Sequence, residues 1–115
     1  MQLLCEFSEE NQTQCLGILP GIVRKFESND LKIPQIGWNN IFNLKSRLFD
    51  GINENSYVYF VHGYYVGSND AAIATAEYET EFSAAIQHEN FYAVQFHAEK
   101  SGAVGARILE NFLKI

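Results

Sequence analysis

Cysteine is scarce in this chain. Cys5 and Cys15 are its only two, and without a C-x-x-C pair neither a zinc cage nor a disulfide framework is indicated. The acidic flank Glu6, Glu9 and Glu10 also works against a low-pKa, reactive thiol at Cys5. Basic clusters are missing too: 8 Lys and Arg stand against 14 Asp and Glu, a formal net charge of −6. With no basic run to neutralise a phosphate backbone, nucleic acid is not an expected partner. No stretch reaches the roughly 18 consecutive apolar residues of a bilayer span. The opening Met1-Gln2-Leu3-Leu4-Cys5-Glu6 has neither the basic start nor the length of a signal peptide, so the cytoplasm is the expected compartment. Internal repeats, low-complexity tracts and linkers are likewise absent, and one domain over residues 1–115 is expected.

What is present is a packed composition, 47% hydrophobic and 14% aromatic in 115 residues, far from disordered chains. Met1 to Phe7 reads as a mostly buried helix without a capping residue ahead of it. Cys15–Leu19 and Gly21–Phe26 read as short extended pieces broken at Pro20-Gly21. Lys32 to Asn40, rich in Pro, Gly and Asn, reads as an ordered loop, and Ser46–Phe49 as one helical turn. Ser56-Tyr57-Val58-Tyr59-Phe60-Val61-His62 has the pattern of a central strand covered on both faces. Ala71–Glu77 is a further strand, and Glu81–Gln87 with Asn90–Phe96 a hairpin around His88-Glu89. Ser101 to Ile115 places Val104, Ile108, Leu109, Phe112 and Leu113 on one helical stripe, with Ser101 as its cap.

The sharpest chemical feature is His97 with Glu99. In extended backbone, residues two apart point the same way, so Glu99 can accept one ring N–H of His97. The other ring nitrogen is then free to take a proton from a nucleophile. On residue type alone an H-x-E pair is more often structural, but a strand end leading into a helix is where open α/β sheets build their sites.

The run Gln95-Phe96-His97-Ala98-Glu99-Lys100-Ser101 resembles the Q-F-H-P-E-x-S block of class I glutamine amidotransferases, with Ala98 in place of the usual Pro. Pro34-Gln35-Ile36-Gly37-Trp38-Asn39 and Tyr59-Phe60-Val61-His62-Gly63-Tyr64-Tyr65 are similar to the P-x-x-G-W-N and Y-F-V-H-S-Y blocks of the glutaminase subunits of imidazole glycerol phosphate synthase. The resemblance covers essentially the whole chain. It implies an α/β fold: the C-terminal part of a three-layer class I glutamine amidotransferase, a mixed sheet flanked by helices, without the N-terminal strands and nucleophile elbow. His97 and Glu99 are then the catalytic base and its orienter. Gln2 helps bind the substrate carboxylate, while His62, Gly63 and Tyr64 hold the amino-acid end of glutamine, Gly63 standing where Ser or Thr is usual. Trp38 and Asn39 lie near a partner, a (β/α)8 barrel cyclase. On residue type alone, Trp38 is more often a core or rim aromatic and His62 a hydrogen-bonded structural residue. No metal or organic cofactor is implied.

The family nucleophile is a Cys in an elbow of the form G-x-C-x-G-M-Q-L, and this chain starts at the Met of that pattern. Cys5, about one turn into the expected helix, and Cys15, beyond its end, do not replace it. The expectation is therefore a truncated or mis-started form of a roughly 200-residue subunit, inactive as it stands. The implied reaction is hydrolysis of glutamine to glutamate and ammonia, the ammonia passing to the cyclase for histidine and purine metabolism. The alternatives are a non-catalytic module that only docks on the cyclase, or a component of another amidotransferase such as anthranilate or GMP synthase.

Overall fold

The computed structural model describes residues 1–115. Nine strands precede one α-helix: β1 (Phe7–Ser8), β2 (Thr13–Gln14), β3 (Ile22–Lys25), β4 (Gln35–Ile41), β5 (Ser56–His62), β6 (Tyr64–Val66), β7 (Ala72–Tyr78), β8 (Thr80–His88), β9 (Phe91–Val94) and α1 (Gly102–Leu113). Single 3-10 turns occupy Gln2–Leu4, Glu10–Gln12, Arg47–Phe49 and Ala98–Lys100. The architecture is mixed α/β, and its strands form three sheets, in the orders β2-β1-β3-β6, β4-β5 and β7-β8-β9. β1 and β3 run parallel and all other pairs antiparallel. Isolated bridges Phe42↔Thr75 and Gly67↔Phe82 tie the second and first sheets to the third. No helix is long and apolar enough to cross a membrane.

Two strands are buried on both faces: β7 from Ala72 to Ala76, and β8, where Phe82, Ser83, Ala84, Ala85 and Ile86 are all inaccessible. Small side chains on β7 and β8 let the layers approach closely. The ring of Phe82 meets those of Phe26, Phe60, His62 and Tyr65. Around it gathers the main core, with a second cluster of Cys5, Leu19, Val23, Val66, Ile86 and Ala93 beneath the first sheet.

Four expectations change in the segments ahead of α1. Met1 to Phe7 is not a helix: one 3-10 turn leads directly into β1, because seven residues are too few to repay helix nucleation and β3 offers a partner, with Phe7 opposite Ile22. Cys15–Leu19 is irregular; its amides reach back to the carbonyls of Leu3, Leu4, Cys5 and Glu6. The Pro-Gly-Asn stretch holds a seven-residue strand, β4, because β5 supplies an unbroken antiparallel ladder from Gln35↔His62 to Ile41↔Ser56. Pro34 stands just before the first strand residue, where its lack of an amide costs no ladder bond. β5 itself pairs only with β4 and buries one face, Val58, Phe60 and His62; Tyr57 on the other face is 57% exposed.

Helix α1 forms as expected, with its buried face rotated from the expected stripe to Gly105, Ile108 and Asn111, while Leu109 and Leu113 face solvent. Gly105 lies against Ala98, and a Cβ there would stand 1.9 Å from the Ala98 carbonyl oxygen. Asn111 Nδ2 donates to the carbonyls of Leu48 (2.9 Å) and Asp50 (2.8 Å), fastening the helix to the Arg47–Phe49 turn. Ser101 precedes the helix, but its hydroxyl bonds none of the free helix amides. That arrangement forgoes a cap worth about 0.5–2 kcal/mol.

Candidate active site

His97 and Glu99, the expected base and its orienter, sit where the third sheet hands the chain to α1. After β9, buried Phe96 anchors the exit, and the amide of His97 donates to the carbonyl of Tyr59 on β5 at 2.9 Å. His97 is extended, but the next residues turn in a 3-10 loop, so a turn and not a continuing strand returns Glu99 to it. Nδ1 of His97 lies 2.8 Å from Oε1 of Glu99, with 41% and 63% of the two side chains exposed. The carboxyl of Glu99 is held below the usual carboxylate range, first by its own backbone amide and then by the His97 ring N–H. With Nδ1–H donating to Glu99, Nε2 is left as an acceptor, and it makes no hydrogen bond within the protein.

Gln2, His62, Gly63 and Tyr64 come together on a separate wall. They line an open cleft of about 630 Å³ with Met1, Leu3, Glu10, Pro34, Val61 and Gln95. His97 and Glu99 are not among its walls; Gln95, two residues ahead of His97, is. The amide nitrogen of Gln2 donates to the Tyr64 carbonyl (2.8 Å) and to Oε1 of Gln95 (2.7 Å). Both of its N–H groups are thereby used, and Oε1 of Gln2 remains as an acceptor. Gly63 has no strained φ, and a Cβ added there meets Pro34 at 3.6 Å, an ordinary contact.

His62 is buried, and both ring nitrogens are engaged. Nδ1–H donates to the Tyr64 carbonyl at 2.7 Å, and Nε2 lies 2.6 Å from the side-chain amide oxygen position of Gln35. Burial lowers the pKa of the ring, against a smaller rise from the Tyr64 bond. A neutral ring with its proton on Nδ1 needs a donor at Nε2, so the Gln35 amide turns its NH2 toward it.

Trp38 and Asn39 diverge, as neighbours on a strand must. Trp38 is 55% exposed and packs edge-on against Tyr59, whereas Asn39 Nδ2 donates to the Glu77 carbonyl of β7 at 2.8 Å. Both cysteines are free thiols. Cys5 is buried, its Sγ faces the Met1 carbonyl, and burial pushes its pKa up to about 11, the opposite of what a thiolate nucleophile needs. No His, Cys, Asp and Glu cluster has metal-binding geometry. Sequence reasoning overlooked Glu10, Gln35, Gln95 and Ser101. Gln95 and Ser101 stood inside the recognised His97 block and Gln35 inside the Pro34–Asn39 block, with no site role drawn from them; Glu10 gave no local signal, since only tertiary pairing brings it in.

A fold of this kind, with a His–Glu pair at the strand-to-helix junction, is that of an amidotransferase. The family model described as glutamine amidotransferase class-I matches residues 1–115, and the chain belongs to that family. Among curated relatives it is 49% identical to the imidazole glycerol phosphate synthase subunit HisH of Bacteroides fragilis, over 100% of this chain and 60% of that protein. It is 47% identical to the protein of the same name from Haemophilus influenzae, over 99% of this chain and 58% of the relative. The chain thus spans about three fifths of the length of the relatives it matches. A solved structure from Thermoplasma acidophilum, provisionally assigned as one component of a GMP synthase, superposes with a TM-score of 0.62 at 22% identity, covering 80% of this chain and 46% of that one. That likeness concerns the fold.

Proposed function

We propose that this chain is part of the glutaminase subunit of an imidazole glycerol phosphate synthase, in which glutamine is hydrolysed and its ammonia delivered to a (β/α)8 barrel cyclase. The observation that carries the reading is the 2.8 Å contact of His97 Nδ1 with Glu99, which leaves Nε2 free to act as a base. On this reading the attacking thiolate is not Cys5, whose ionisation burial opposes. His97 takes the thiol proton as sulfur adds to the side-chain carbonyl of glutamine, and returns it to the departing nitrogen as ammonia leaves. Water then cleaves the thioester, with His97 again as base, and glutamate is released. Glu99 holds the ring in the productive tautomer throughout.

The open cleft suits the amino-acid end of the substrate. Glu10 and the free Oε1 of Gln2 offer negative charge and an acceptor to the ammonium group, so Gln2 in this arrangement serves the ammonium end better than the carboxylate. The outward face of β4 and β5, with Ile36, Trp38, Tyr57 and Val61 exposed, has the apolar character of a docking surface for the cyclase. The reading places the protein in the cytoplasm, with which its two free thiols accord.

The same face supports a second reading, a non-catalytic module that only docks on the cyclase. Ammonia release separates the two. The chain is assayed with a cyclase and the cyclase ligand, beside the longest reading frame that contains it. Turnover in the longer frame that His97→Ala lowers by about 10²–10⁴-fold upholds the glutaminase reading; turnover absent from both, with the cyclase bound, overturns it.

A further inference from the structure

We propose that Ser101 is a positioning residue that fixes the direction of the His97 ring by tying its backbone to β5; the proposal rests on the reading of His97 as the base. Three bonds close a loop. The His97 amide donates to the Tyr59 carbonyl at 2.9 Å, the Tyr59 amide donates to Ser101 Oγ at 3.0 Å, and Ser101 Oγ–H donates to the His97 carbonyl at 2.6 Å. Both peptide groups flanking His97 are thereby held, one through its N–H and the other through its C=O.

The loop needs a short side chain that donates and accepts through a single atom, which among small residues only a hydroxyl provides. Ser101 is 2% exposed, so water does not substitute for it. The residue also stands at the N-cap of a twelve-residue helix, where a serine ordinarily bonds the free amides, and it makes no such bond. A local preference surrendered at the junction that carries the base marks a residue given over to the site. Without the tether, the exposed His97–Glu99 pair is held only by the single Tyr59 carbonyl bond and the 3-10 turn.

The test reads the tautomer of His97 by 15N NMR in the 115-residue chain, for wild type, Ser101→Ala and Ser101→Thr, with His62 as the internal control for an intact fold. The wild type is expected to show His97 protonated at Nδ1. Ser101→Ala is expected to shift it to a mixture of tautomers and to speed exchange of the Tyr59 amide, while Ser101→Thr keeps the wild-type signals. If Ser101→Ala does not fold, Ser101→Cys, close in volume and far weaker in hydrogen bonding, takes its place. A His97 tautomer unchanged while Tyr59 exchange accelerates overturns the proposal. In the catalytically complete protein, Ser101→Ala should lower kcat by about tenfold with KM little changed; unchanged kcat overturns the proposal. Absence of wild-type turnover counts against the glutaminase reading instead, and leaves the tautomer comparison standing.

Discussion

The protein's two engaged histidines face opposite demands. His97 is half exposed and shares one proton with a carboxylate at the surface; His62 is buried between Gln35 and the Tyr64 carbonyl. Burial lowers the folded pKa of His62, so the unfolded chain binds a proton more readily than the folded one. Its contribution to stability is therefore complete above the unfolded value of about 6.5 and is lost as pH falls through the folded value. Urea midpoints measured from pH 7 down to pH 5 should fall for the wild type, and fall less steeply for His62→Gln. The same sign applies to Glu99 in a lower window, where protonation of its depressed carboxyl parts it from His97. Gly63 is the other informative residue. Its backbone is unstrained and its added Cβ fits, so Gly63→Ser should raise stability by about 0.4–1 kcal/mol through the unfolded state, read as a higher urea midpoint with unchanged slope.

At the scale of elements, helix α1 is fastened by what it lacks and by one buried amide. Propensity alone would have Gly105→Ala gain about 1 kcal/mol. The added methyl, 1.9 Å from the Ala98 oxygen, instead costs about 3 kcal/mol by overpacking. A thermal melt of Gly105→Ala well below that of wild type is the expected result. The helix and the β8–β9 hairpin were legible because each carries its own periodicity and, for the hairpin, a local turn, expected at His88-Glu89 and found one residue later at Glu89-Asn90. β4 was not, because Pro, Gly and Asn argue locally for a loop and only the ladder offered by β5 makes them a strand. The opening segment failed for the same reason, its apolar spacing satisfied by pairing with β3. β5 read as buried on both sides because its outer residues, Tyr57, Tyr59 and Val61, are as apolar as its inner ones.

Across the whole molecule, three small sheets bring together residues far apart in sequence. Gln2 reaches Tyr64 and Gln95, and Ser101 reaches Tyr59, none of which any window of sequence contains. The motif blocks named His97, Glu99 and the run His62-Gly63-Tyr64 as candidates and also contained Gln35, Gln95 and Ser101, but the bonds these last three make emerged only with tertiary structure. Trp38 and Asn39 were both expected near the cyclase; strand alternation leaves Trp38 exposed and turns Asn39 toward the Glu77 carbonyl. If the proposed function holds, His97 and Glu99 act as one unit on a sulfur held elsewhere in the protein. The decisive measurement is a double-mutant cycle on glutamate release by the catalytically complete protein, assembled with its cyclase. His97→Ala combined with Glu99→Ala should lose no more kcat than His97→Ala alone, as groups acting in series do; losses that multiply, or a His97→Ala variant that keeps wild-type kcat, would contradict the joint role.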